Sequence, residues 1–327
     1  MKYQPLSSSL YIKNREKFCY KLAESSVAIF NSNDIMPTNA DGTMRFRQNN
    51  DLFYLTGIDQ EETILLVAPD CPNPNMREVL FLRETNEHIA IWEGHKYTKE
   101  EAEATSGIKN IQWLSNFDQV FNTVMALCAN IYLNTNEHLR AGVVVETQDA
   151  RFIKKCRERF PLHTYHRSAP IMHKLRGVKE KEEIDQLQIA CDITEKGLRR
   201  ILPFVKPGVT EYEIEAEYLH EFVRNRSNGF AYQPIIASGA SACVLHYIEN
   251  HKECLAGELL LMDVGAEYGN YNADMTRTIP VSGRFTERQK AVYDAVLRVQ
   301  KEASNILRIG TNIQDYHKEV GLIMQSE

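Results

Sequence analysis

Several absences narrow the class of this chain before any motif is read. No apolar run approaches the ~20 residues that a membrane-spanning helix needs. The first residues, MKYQPLSSSLYIKNREKF, place Lys13, Arg15, Glu16 and Lys17 where a signal peptide would have its apolar centre. Positive charge is not in excess: 38 Lys and Arg stand against 44 Asp and Glu, a formal net charge of −6 with both signs interspersed. That leaves no electrostatic footprint for nucleic acid, and it sets membranes and nucleic acids aside as partners. The seven cysteines contain no Cys-x-x-Cys pair and leave one odd, which suits reduced thiols and a cytoplasmic location.

The missing catalytic signatures exclude as much. There is no G-x-x-x-x-G-K-[ST] and no G-x-G-x-x-G to cradle phosphates, and no G-x-S-x-G elbow for a nucleophilic serine. His220 is followed by Glu221, but Arg224 stands where a zincin helix needs its second histidine. Gly265 occupies a position where a calcium loop starting at Asp263 would need an Asp or Asn ligand. His163 and His166 lie in an unremarkable polar stretch and read as solvated residues.

What remains is an ordinary globular composition, 43% hydrophobic and 25% charged, over 327 residues, enough for two domains. No internal repeat or low-complexity segment is present. Residues 1–172 read as an α/β unit. A helix is expected from Tyr11 to Glu24, and strands at SSVAIF, Ile64–Ala68, VLFLRE, IAIWEG and ANIYLN. Helices are expected at Thr98–Thr105, Phe117–Cys128 and Gln148–Phe160, an alternation that favours a sheet with helices packed on it. The charged segment HRSAPIMHKLRGVKEKEE, with Pro170 and Gly177, places a boundary near residue 170. The second domain is 173–327.

That second domain opens with a long helix carrying Ile184, Leu187, Cys191, Thr194, Leu198 and Ile201 at helical spacing. Thr210 with Glu213, and Thr286 with Gln289, form capping boxes for two further helices, the first ending at Asn228–Gly229 and the second near Leu307. A last helix starts at Thr311 and meets no stop signal before Glu327.

Between these helices lies LLLMDVGAEYGNYNADMTRTI, residues 259–279, two extended runs joined at Gly269–Asn270. Both residue types tolerate positive φ, so a tight hairpin is expected there. With those two as the loop, Asp263 faces Thr276, and Asp274 falls on the same face of the ribbon as Asp263. Diagonal neighbours sit roughly 7–8 Å apart, close enough for two carboxylates to converge on one ion. A loop one residue longer would put them on opposite faces. The alternative is a partly exposed hairpin with one Asp bonding a turn backbone and the other paired to Arg277. His246, in LHYIEN, is a candidate donor to a polarised substrate oxygen; a lone histidine is more often structural.

Five stretches, FRQNNDLFYLTGIDQEETILLV, IWEGHKYTKEEA, RGVKEKEEID, YQPIIASGASACVLHYIEN and LLLMDVGAEYGNYNADMTRTIPVSGRFTERQKAVYDAVL, occur in an order that closely resembles aminopeptidase P. This is the X-Pro aminopeptidase branch of the pita-bread metallopeptidases. The resemblance runs over nearly the whole chain. It implies a creatinase-like N-terminal α/β domain followed by a pita-bread catalytic domain, an α/β (α+β) architecture. It also implies two Mn²⁺ ions, or other divalent metals, bridged by a hydroxide that attacks the bond preceding proline in a peptide with proline second. Asp263 would chelate one metal and Asp274 would bridge both. His246 would contact substrate, and Trp92 matches a family tryptophan that approaches a neighbouring subunit, implying a homo-oligomer, a dimer or a tetramer.

The family's other ligands, one His and two Glu, have no matching context in this sequence. The expectation is therefore a pita-bread domain truncated at its C-terminal end and inactive alone. Two other readings stay open: a non-catalytic pita-bread protein that binds peptides or a partner, and a relative of other specificity, such as a prolidase-type dipeptidase or a creatinase. Methionine aminopeptidase fits less well, because it lacks the N-terminal domain.

Overall fold

The computed structural model describes residues 2–142 and 144–327. Its contacts fall into two compact units, Tyr3–Gln186 and Leu187–Glu327.

The first unit runs α1 (Ser8–Cys19), β1 (Ser26–Asn31), α2 (Asn50–Thr56), β2 (Ile64–Val67), β3 (Glu78–Leu82), α3 (Glu87–Glu93), α4 (Lys99–Ser106), β4 (Asn110–Trp113), α5 (Phe117–Met125), β5 (Asn130–Leu133), α6 (Gln148–Arg159), β6 (Thr164–Arg167) and α7 (Ala169–Gly177), and reaches into α8 (Lys181–Ile201). Its strands form one mixed sheet in the order β4-β3-β2-β1-β5-β6. β1 is antiparallel to β2 and parallel to β5. The sheet is buried on both faces, which is why β1 and β2 read as continuous apolar runs and not as alternating ones. One face packs Phe18, Leu52, Leu55 and Ile108. The other packs an aromatic cluster in which Phe121 touches Phe117, Phe152 and Phe160.

Two expectations are corrected here. IAIWEG is not a strand but most of α3, capped by the Asn86 side chain, which accepts from the Ile89 N–H. None of its residues is buried, so the Ile-Trp pattern reflects no core. HRSAPIMHKLRG holds the end of the edge strand β6 and then α7, with Pro170 in the first turn, where its missing N–H costs nothing. His166 lies within β6, its ring stacked on Tyr132 and bonded to Asn130, and the His163 ring reaches the Met125 carbonyl. Both are half-buried structural residues.

The second unit contains the remainder of α8, then α9 (Glu211–Arg224), β7 (Gly229–Phe230), β8 (Ile235–Ser238), β9 (Leu259–Val264), β10 (Ala266–Tyr268), β11 (Tyr271–Asn272), β12 (Met275–Pro280), α10 (Glu287–Ile306) and α11 (Ile313–Ser326). β12-β9-β8 form one antiparallel sheet and β11-β10-β7 another. Both expected capping boxes are present. α9 ends four residues short of Asn228, because the Asn225 side chain captures the Glu221 carbonyl. The expected apolar stripe of α8 is rotated by about one position. Glu183, Gln186, Ala190, Ile193, Thr194 and Ile201 are buried, whereas Ile184 is 54% exposed and Cys191 lies at the surface.

One buried acid in the first unit has a consequence for stability. Asp149, in the first turn of α6, accepts from Asn31 Nδ2 at 2.8 Å. Burial pushes its carboxyl up to about 7 against that bond, and the charges of Asp51 and Asp34 add to the rise. An unfolded Asp titrates near ~3.9, so between these values the native state holds the extra proton. Stability should therefore fall as pH rises from about 4 to about 7, by at most ~1.4 kcal/mol per unit. Urea midpoints measured across that window should fall more steeply for the native chain than for Asp149→Asn.

Candidate metal centre

The hairpin has the register expected of it. Asn270 and Gly269 both carry positive φ, at 66° and 57°. Tyr268 pairs with Tyr271, Glu267 with Asn272, and Thr276 with Asp263. Asp274 thus lies diagonally across from Asp263 on one face. The two carboxylates meet at a single group: Tyr232 Oη lies 2.6 Å from Asp263 Oδ1 and 3.1 Å from Asp274 Oδ1. Asp263 is half-buried and Asp274 exposed.

A phenol carries one proton, so it can donate to only one of the two acids at a time. The nearer, Asp263, receives it, and Asp274 is left facing the same oxygen with no proton to share. Among the described residues neither acid has a cationic partner. Arg277 donates instead to the Thr276 carbonyl, so pairing of an Asp with Arg277 does not occur. Burial first, and then the two carboxylates, drive the Tyr232 hydroxyl far above the usual phenol range, which keeps it a donor. Two hard anionic oxygens with one shared proton are a donor set that a divalent cation would complete. Among the described residues no group of three or more His, Cys, Asp or Glu is arranged to hold a metal ion.

Several contacts fix this geometry. Gly265 separates β9 from β10 at the point where the Ala273 carbonyl crosses, and a Cβ there would lie 1.8 Å from that oxygen. The Ala266 N–H donates to Thr194 Oγ1 on α8, pinning the break between the strands. Asp274 opens onto a cavity of about 510 Å³ whose wall includes Cys191, Leu198, Leu202 and Met275.

His246 follows β8 in the connection to β9. Glu211, fully buried at the start of α9, accepts from the Ser238 N–H, Ser238 Oγ, Tyr247 Oη and the Lys252 N–H at 2.7–3.0 Å. Asn250 is held by Glu215 and by the Pro234 carbonyl. The residues on either side of the LHYIEN stretch are therefore anchored, while His246 is exposed and, among the described residues, makes no hydrogen bond. The structure shows no contact between it and either carboxylate. Trp92 belongs to the other unit, 80% exposed on α3.

Tyr232 was not among the residues singled out from sequence. It lies three residues before Ile235, the β8 partner of Asp263, and the long connection between β8 and β9 hides that pairing from a sequence pattern. Replacing Gly265 by Ala should separate the strands at this junction and cost about 3 kcal/mol or more, as overpacking against backbone does. Urea denaturation checks it.

Comparison with known proteins gives the same direction from both units. Residues 185–327 match the model of metallopeptidase family M24, and residues 11–132 match that of the aminopeptidase P N-terminal domain. The Xaa-Pro aminopeptidase of Escherichia coli K12 is 31% identical over 322 residues, covering 98% of this chain and 73% of that protein. The Haemophilus influenzae Xaa-Pro aminopeptidase is 30% identical over 282 residues, covering 86% of this chain and 63% of that one. Among solved structures, E. coli aminopeptidase P with the inhibitor Pro-Leu superposes with a TM-score of 0.86 at 30% identity, over 99% of this chain and 73% of the other. With its aminopeptidase P N-terminal domain and its pita-bread M24 domain, this chain belongs to the Xaa-Pro aminopeptidase family of metallopeptidases.

Proposed function

We propose that this chain carries part of the active centre of a metal-dependent aminopeptidase that removes the N-terminal residue from peptides with proline second. The observation that carries the reading is the convergence of Asp263 and Asp274 on one hydroxyl, a pair of acids short of positive charge. In this reading Asp263 and Asp274 hold divalent metal, two Mn²⁺ ions per site. The metal supplies an activated water and a Lewis acid for the scissile carbonyl. Tyr232 orients the Asp263 carboxylate and keeps its own proton. His246, exposed and flanked by anchored residues, reaches toward the reacting carbonyl as a donor.

Two carboxylates make a weak divalent site by themselves, so further donors from outside the described residues complete the set, and the 327-residue chain alone is inactive. Trp92 serves substrate binding in a cytoplasmic homo-oligomer, a dimer or a tetramer. The creatinase-like domain is taken as residues 1–172 and the catalytic domain as 173–327.

The test is Mn²⁺-dependent release of the first residue from an X-Pro-X peptide, by this chain and by a form lengthened to the full span of its relatives. The longer form should turn over and the 327 residues should not. In the active form Asp274→Asn should lower kcat/KM by at least about 10³-fold, the loss expected when a metal-bound nucleophile is no longer held. Near-native turnover by that variant would refute the assignment. Activity in the short chain would mean that ligands come from other residues.

A further inference from the structure

The connection that carries His246 is closed on itself by a lysine. Lys252 Nζ donates to Ser241 Oγ at 2.6 Å, a bond between residues eleven apart in the chain. His246 lies midway between them. Ser241 belongs to the short 3₁₀ turn Gly239–Cys243 that follows β8, and it is buried, whereas Lys252 is exposed.

An exposed lysine that reaches for a neighbour contributes little in general, because a long stem must be ordered for one solvated bond. Two features set this one apart. Its backbone is already pinned: the Lys252 N–H donates to Glu211 Oε2 at 3.0 Å, and the Glu211 N–H donates to the Lys252 carbonyl at 2.8 Å. Only the side chain remains to be ordered. Its acceptor, moreover, is part of a circuit. The Ser241 hydroxyl also bonds the Tyr247 phenol, and Tyr247 Oη donates to Glu211 Oε2 at 2.7 Å. The bonds therefore run from the Lys252 ammonium to Ser241, on to Tyr247, then to the Glu211 carboxylate, which the Lys252 N–H meets from the other side. A hydroxyl can accept one bond while it donates another, and in such a chain each bond polarises the next.

The circuit holds His246 from both directions. On the entry side, the Ser241 carbonyl accepts from the Val244 N–H at 3.0 Å, two residues before the histidine. On the exit side, Tyr247 is packed against Ile235 and Ala237 and tied by its hydroxyl. Asn250 adds bonds to the Ile236 N–H, Glu215 and the Pro234 carbonyl, but these too lie past the histidine. The Lys252–Ser241 bond is the one that joins the entry side to the exit side.

We propose that Lys252 is a positioning residue for His246: acting through Ser241, its ammonium holds the start of the connection against its end and so fixes where the imidazole stands. That the imidazole then serves a reacting carbonyl rests on the peptidase reading above; that Lys252 holds it does not.

The test has two arms. In the 327-residue chain, hydrogen exchange of the Val244 amide is followed by NMR. Lys252→Met removes the ammonium and keeps the stem, at an exposed position that the fold tolerates. It should speed exchange at Val244 by about ten-fold, the effect of losing one charged hydrogen bond, and leave the amides of β9 and β12 unchanged. Ser241→Ala should do the same, and Lys252→Arg, which returns a charged donor, should restore slow exchange. Unchanged exchange in Lys252→Met overturns the proposal, as does equal acceleration in Lys252→Arg. In the lengthened form, Lys252→Met should lower kcat by about ten-fold with KM unchanged, as loss of a contact made in the transition state does. In a His246→Ala background the same substitution should have no further effect. A full ten-fold loss in that background would mean that Lys252 acts by another route, and the proposal falls. If no form turns over, the peptidase reading fails, and the exchange arm alone decides whether Lys252 holds the connection.

Discussion

One proton shared by two acids is the constraint around which the second unit is built. Tyr232 Oη stands within hydrogen-bonding reach of Asp263 and Asp274, and it can donate to one of them only. Like charges brought together cost energy, and a fold tolerates that cost where the pair serves a purpose. Everything nearby keeps the pair together and does not relieve it. The antiparallel register fixes the diagonal, Gly265 lets the Ala273 carbonyl cross between the two strands, and Thr194 ties the junction to α8. Arg277, close in sequence to Asp274, spends its guanidinium on a backbone carbonyl.

The His246 connection follows the same logic with the opposite sign. Glu211 is a buried carboxylate, but it is met by four donors, so its charge is an asset. It fastens Ser238, Tyr247 and Lys252 at once, which turns the connection between β8 and β9 into an anchored platform. The imidazole of His246 stands exposed on that platform beside Leu245 and, among the described residues, makes no hydrogen bond. A backbone anchored on both sides of an exposed imidazole lowers the entropy that a substrate contact would otherwise have to offset.

These two parts were unequally legible. The hairpin could be read because its register depends on local things: a two-residue loop of Gly and Asn, and a pleat that alternates with period two. Tyr232 could not, because its place beside Asp263 depends on how β8 docks after a connection of twenty residues, from Gly239 to Glu258. IAIWEG was misread for a related reason. Apolar alternation is the signature of a half-buried strand, but α3 buries nothing, and the Asn86 cap decides the matter locally. The histidines near β6 and the helix α7 were hidden by charge. Lys, Arg and His on an edge strand and a surface helix give no apolar pattern to read until the neighbouring strand is known.

The rotated face of α8 shows where periodicity and function part company. Its expected stripe of Ile184, Leu187, Cys191, Thr194, Leu198 and Ile201 has the spacing of a core-facing surface, yet only Thr194 and Ile201 of it are buried. Cys191, Leu198 and Leu202 line the cavity onto which Asp274 opens. Glu195, Arg199 and Arg277 line the same cavity, so the exposed Asp274 carboxylate stands among charged as well as apolar side chains. A stripe that fails in part as a packing signal thus still has a place: it supplies part of the wall beside Asp274. Core and site use the same residue types here, and only the position of Asp274 tells them apart.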